Sequence, residues 1–178
     1  MTAREATASD PYQVRIAGGD TATPLNLAKR IRLLDSAVGL RGNRVLDGGC
    51  GAGEYVEGFL ALGADAVGVE FAADKVLAYF NSHPKSNRVT QGELTDVKEP
   101  DQSFDLIVLN EVLEHTPDQG GTLAEMHRLL RHGGSLVVFS PNRLFPFETH
   151  GVTHRRTGRP LSPWIPGLPY LPMVIGRR

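Results

Sequence analysis

The hexapeptide NEVLEH, Asn110–His115, sets two carboxylates and an imidazole side by side, directly after the apolar run FDLIVL. Imidazole trades a proton near neutral pH, and carboxylates accept protons or bind cations. Glu111, Glu114 and His115 stand at i, i+3 and i+4, which one helical turn would gather on one side. Gathered in that way they would also suit a divalent metal, Mg²⁺ or another, and ETHGVTH offers His150 and His154 as further ligands. A plainer reading is that Glu111 frames a pocket while Glu114 and His115 begin a turn before Pro117. Both stay open.

A second cluster is LDGGCGAGE, Leu46–Glu54. Gly49, Gly51 and Gly53 allow a sharp turn and a close approach of backbone to a ligand. A phosphate-cradling loop would end in Lys followed by Ser or Thr, and this one does not. A dinucleotide loop would read G-x-G-x-x-G, but Glu54 stands where the last glycine belongs. A carboxylate at a helix start also disfavours pyrophosphate. What remains is a ligand without phosphate whose polar end is cationic, met by Asp47, Glu54 and the glycine backbone.

Elements must carry these clusters. Strand-like runs lie at 44–47, 66–70, 88–91, 104–110 and 135–140, and helical patterns at 23–39, 54–62, 72–81 and 120–132. Thr23 and Pro24 start the first helix, Gly39 ends it, and Leu27, Ile31, Leu34 and Val38 share one face. Leu123, Met126, Leu129 and Leu130 form the inner face of the last, and His127 and His132 lie near its end. Unbroken apolar strands alternating with helices predict an α/β fold: a doubly wound, mostly parallel Rossmann-like sheet with helices on both faces.

The chain has 178 residues and a net charge of −1, which argues for one domain and against a large nucleic-acid surface. Its single cysteine, Cys50, excludes a disulfide framework and points to a reducing compartment, the cytoplasm. No transmembrane run or secretory signal is expected. The expected organisation is a loose arm at 1–22, a core at 23–142 and a proline-rich segment at 143–178.

VLDGGCGAG, AVGVE, QGELTDVKEPDQSFDLIV, LNEVLEH and LLRHGGSLVVFSPN, in this order, resemble the successive motifs of the class I S-adenosylmethionine-dependent methyltransferases. The resemblance covers about residues 40–142. It implies S-adenosylmethionine as cofactor, with Asp47, Gly49, Gly51 and Gly53 shaping its site. It also implies Glu70 on the ribose hydroxyls, Glu93 and Leu94 at the adenine, and Cys50, Phe71 and Asn110 beside them. Glu111, His115 and His150 are implied on the acceptor side. E-x-x-E-H also resembles the metal site of small-RNA 2′-O-methyltransferases and a motif of ubiquinone-pathway O-methyltransferases.

The family core ends in two antiparallel edge strands, and no strand or helix is evident after Ser140. Either the chain is a truncated piece, or residues 143–178 replace that edge. Pro160, Pro163, Pro166, Pro169 and Pro172 recur with polyproline II spacing among apolar residues. This suits a lid over an acceptor, a connection to further strands, or a ligand for a partner domain. The leading expectation is O-methylation of a small molecule, glycan or lipid-linked acceptor. The alternatives are a metal-dependent RNA 2′-O-methyltransferase, and a non-catalytic S-adenosylmethionine-binding module or inactive fragment.

Overall fold

The computed structural model describes residues 25–140, 152–154 and 175–177. The chain divides into two units, Met1–Phe139 and Ser140–Arg178. The first carries helix α1 (Leu25–Val38), strand β1 (Arg44–Gly48), α2 (Glu54–Ala61), β2 (Asp65–Glu70), α3 (Ala73–Ser82) and β3 (Val89–Gln91). After these come β4 (Phe104–Asn110), a 3₁₀ turn (Leu113–His115), α4 (Gln119–Leu129) and β5 (Leu130–Phe139).

The strands form one sheet in the order β3-β2-β1-β4-β5, every pair parallel. Side chains alternate across it, as a pleated strand requires. From β1 and β4, Val45, Leu106 and Val108 join a core with Ile31 and Leu34 of α1, Phe59 of α2 and Tyr79 of α3. Leu46, Ile107 and Leu109 point the other way, onto Met126 and Leu129 of α4. Helices therefore cover both faces. Burial of a large apolar side chain such as Phe59 or Leu106 contributes about 1.5–3 kcal/mol.

α1 ends where expected, with Gly39 in the left-handed region and its N–H donating to the Asp35 carbonyl. α4 does not run to 132. Its last carbonyls, of Arg128 and Leu129, accept from the N–H groups of Gln102 and Ser103, and Leu130 is already extended and paired with Phe104. Arg128 anchors this end on Glu125 and on the carbonyls of Val97 and Glu99. Pairing resumes only at Leu106 with Ser135, so His132 sits in an irregular stretch of β5 and not at a helix end. Leu123, expected on the inner face, is exposed, and buried Thr122 takes that side.

The second unit corrects another expectation. Strands β6 (Val152–His154) and β7 (Ile175–Arg177) form an antiparallel pair, with Thr153 opposite Gly176. Runs of three residues are too short to show a period in sequence. His150, the arm at 1–22 and most of the proline-rich segment lie outside the described residues.

Candidate active site

The chain runs outward from β1 to β3 and returns to β4, so the sheet has its switch point between β1 and β4. At the carboxyl ends of the strands lies a cavity of about 600 Å³. Of the residues singled out from sequence, Gly49, Glu70, Phe71, Glu93, Leu94, Asn110, Glu111 and His115 line it. Val69, Gly92, Thr95, Val112 and the stretch Thr116–Asp118 complete the wall with Thr122. Asp47, Cys50, Gly51 and Gly53 are not on that wall.

The glycine loop is tight for reasons visible in its neighbours. Gly49, Gly51 and Gly53 have φ of 73°, 56° and 83°, where other residues are strained. A Cβ on Gly49 would lie 2.5 Å from Val112 Cγ2, and one on Gly53 would lie 2.5 Å from the Tyr79 ring. The N–H groups of Gly49 and Cys50 both donate to the Val69 carbonyl, at 2.7 and 3.1 Å. The loop is thereby tied to the end of β2.

Glu70 tightens that tie. Its Oε2 accepts from the Gly51 N–H and its Oε1 from the Ala72 N–H, both at 2.8 Å. A carboxylate oxygen has room for a second donor. Glu70 is therefore oriented by backbone and still able to receive two hydroxyls of a ligand.

Asp47, the penultimate residue of β1, has 1% of its surface exposed and, among the described residues, no hydrogen-bond partner for its Oδ2. Burial, then the charges of Glu54 and Glu70, push its carboxyl up to about 8. A cation near the loop would offset this accumulation of acid. Cys50 is buried against Gly68 and its thiol is pushed well up, chiefly by burial and then by Asp47 and Glu70. It packs; it is not poised to react.

Beyond β4 the expected helical turn is absent. Glu111 has φ of +56°, and a 3₁₀ turn forms only at Leu113–His115. The two glutamates thus do not share one turn with His115. Glu111 Oε1 is held by Arg30 of α1 at 2.7 Å, and Glu114 is exposed. Among the described residues no three His, Cys, Asp or Glu side chains are grouped as metal ligands. The part of the expected metal set that is described does not fit an ion.

The contacts of Arg30 with Asn110 and Glu111 were not foreseen from the sequence. The distance in sequence hides the pairing. The Thr116–Asp118 wall was signalled in sequence only as a turn, by Pro117; in the structure Asp118 caps α4, its side chain accepting from the Gly121 N–H.

Residues 46–138, just over half of the chain, match the family described as methyltransferase domain. The ubiquinone biosynthesis O-methyltransferase of Bradyrhizobium sp. (strain ORS 278) is 38% identical over 106 residues, covering 58% of this chain and 42% of that protein. That of Glaesserella parasuis serovar 5 is 33% identical over 136 residues, covering 67% of this chain and 56% of that protein. The chain spans about half the length of these curated relatives. Among solved structures, the YcgJ protein of Bacillus subtilis is 26% identical with a TM-score of 0.56, over 62% of this chain and 49% of that one. The S-adenosylmethionine-dependent methyltransferase of Mesorhizobium loti shares the fold, at 21% identity and a TM-score of 0.58 over 70% of this chain and 57% of that one. With its parallel sheet, glycine loop and strand-end carboxylate, the chain belongs to the class I S-adenosylmethionine-dependent methyltransferases.

Proposed function

We propose that this chain forms the donor-binding and catalytic core of an S-adenosylmethionine-dependent O-methyltransferase acting on a small molecule. One observation carries the reading: Glu70, held by two backbone N–H groups at the cavity rim, is built to grip a diol beside a glycine loop that lacks a phosphate cradle. The relatives named for ubiquinone biosynthesis favour oxygen as the acceptor atom.

In this reading Glu70 takes the ribose hydroxyls. Phe71, Glu93 and Leu94 flank the adenine, and Gly49 and Asn110 lie along the rest of the donor. Asp47, behind the loop, biases the site toward a cation. When bound, S-adenosylmethionine supplies a methyl group activated by its sulfonium. The protein's part is alignment, exclusion of water and removal of the acceptor's proton. His115, on the cavity wall, is assigned that proton, with Glu111 beside it.

The test is incubation with S-adenosylmethionine and a panel of small phenols, catechols and alcohols, following release of S-adenosylhomocysteine. Acceptor-dependent release above the acceptor-free rate supports the reading. Binding of the donor with no transfer to any acceptor, with or without Mg²⁺, makes the chain a donor-binding module instead.

A further inference from the structure

Arg30 leaves the middle of α1 and reaches two consecutive residues at the end of β4. Its Nη1 donates to Asn110 Oδ1 at 2.6 Å and its Nη2 to Glu111 Oε1 at 2.7 Å. The guanidinium also lies over the Phe139 ring of β5, 5.1 Å from its centroid. One planar group thus ties α1 to the ends of two neighbouring strands. A lysine, with a point charge on a flexible stem, could not span both acceptors in this way.

The turn it holds is strained. Glu111 sits at φ +56° without being glycine, a conformation that persists only where the surroundings impose it. Two tethers do so: the Glu111 N–H donates to the Phe139 carbonyl at 2.8 Å, and the side chain is taken by Arg30. The chain then passes through Val112 to His115, both on the cavity wall. The contact with Asn110 has a second consequence. Arginine only donates, so the amide must turn its oxygen to Arg30, and its NH₂ is what remains for a ligand.

We propose that Arg30 is a positioning residue of the transfer site. It acts through Glu111 to hold the turn that presents His115, and through Asn110 to make that point of the cavity a hydrogen-bond donor. The proposal rests on reading this cavity as the site of methyl transfer. Its first test does not depend on that reading.

Amide hydrogen exchange of the full chain, read residue by residue by NMR, compares wild type with Arg30→Gln and Arg30→Lys. Arg30→Gln should speed exchange at Glu111 and His115 at least tenfold, while Val45 and Leu46 of β1 stay within twofold. Arg30→Lys should recover part of the protection. Arg30→Gln combined with Glu111→Gln should exchange no faster than Arg30→Gln alone. Unchanged exchange at the turn overturns the proposal, and so does equal acceleration in β1, which marks a merely structural role. Titration with S-adenosylhomocysteine adds a second arm, in which Arg30→Gln should weaken binding at least threefold, through Asn110, and Arg30→Lys should recover part of it. An unchanged affinity would overturn the part of the proposal that runs through Asn110, and a loss of affinity with the turn still protected would overturn the part that runs through Glu111. If the wild type itself fails to bind, the functional reading falls while the exchange result still decides the role of Arg30.

Discussion

Glu70 and Gly51 are joined by a 2.8 Å hydrogen bond from the Gly51 N–H to Glu70 Oε2, which locks the glycine loop of β1 to the end of β2. The residue expected to grip the ligand's ribose thus also shapes the loop beneath it. Glu70→Ala should weaken binding of S-adenosylhomocysteine by about 1–3 kcal/mol, the range for a lost charged hydrogen bond. Glu70→Gln, which keeps one acceptor oxygen, should fall between it and wild type. Calorimetric titration of the three proteins checks the order.

Asp47 makes stability fall as pH rises. Its carboxyl ionises near 4 in the unfolded chain and is pushed up to about 8 by burial in the fold. Between those limits the folded state holds the extra proton, so each pH unit removes up to about 1.4 kcal/mol of stability, and the loss levels off above 8. Asp47→Asn has no such proton to lose. Urea unfolding without ligand at pH 5, 7 and 8 should show Asp47→Asn gaining on wild type as pH rises. A constant difference would contradict the burial argument.

Glu111 can be tested by comparing two truncations. Glu111→Gly and Glu111→Ala both lose the Arg30 contact, so their difference reports the backbone alone. At φ +56° glycine is unstrained and alanine is not, and Glu111→Gly should be the more stable by about 1 kcal/mol. Thermal or urea melts settle it. Equal stabilities would mean that the turn relaxes out of the left-handed region.

His115→Ala should leave binding of S-adenosylhomocysteine within about twofold and cut methyl transfer by a factor of about 10²–10⁴, the usual contribution of general-base catalysis. Turnover and affinity measured on the same preparation distinguish this from a structural role, in which both fall together.

The fold was legible in sequence because its strongest signals are local. FDLIVLN is buried throughout except at Asn110, and the left-handed glycines of the loop stand where G-x-G-x-G put them. The end of α4 was not legible, because tertiary partners decide it: Gln102 and Ser103 take carbonyls that another helical turn would have used. Glu111 misled for a similar reason. Helical spacing placed it with Glu114 and His115, yet its N–H bonds to Phe139 and its carboxylate to Arg30, so the backbone turns away from the helix. Pairing across 81 residues leaves no mark in a local pattern.

The most direct test is calorimetric titration of the 178-residue chain with S-adenosylhomocysteine, the product that keeps the ribose and adenine of the donor. One site with micromolar affinity is expected, weakened by Glu70→Ala. A folded chain, shown to be so by a cooperative melt, that binds no S-adenosylhomocysteine would contradict the assignment of this cavity as a donor site.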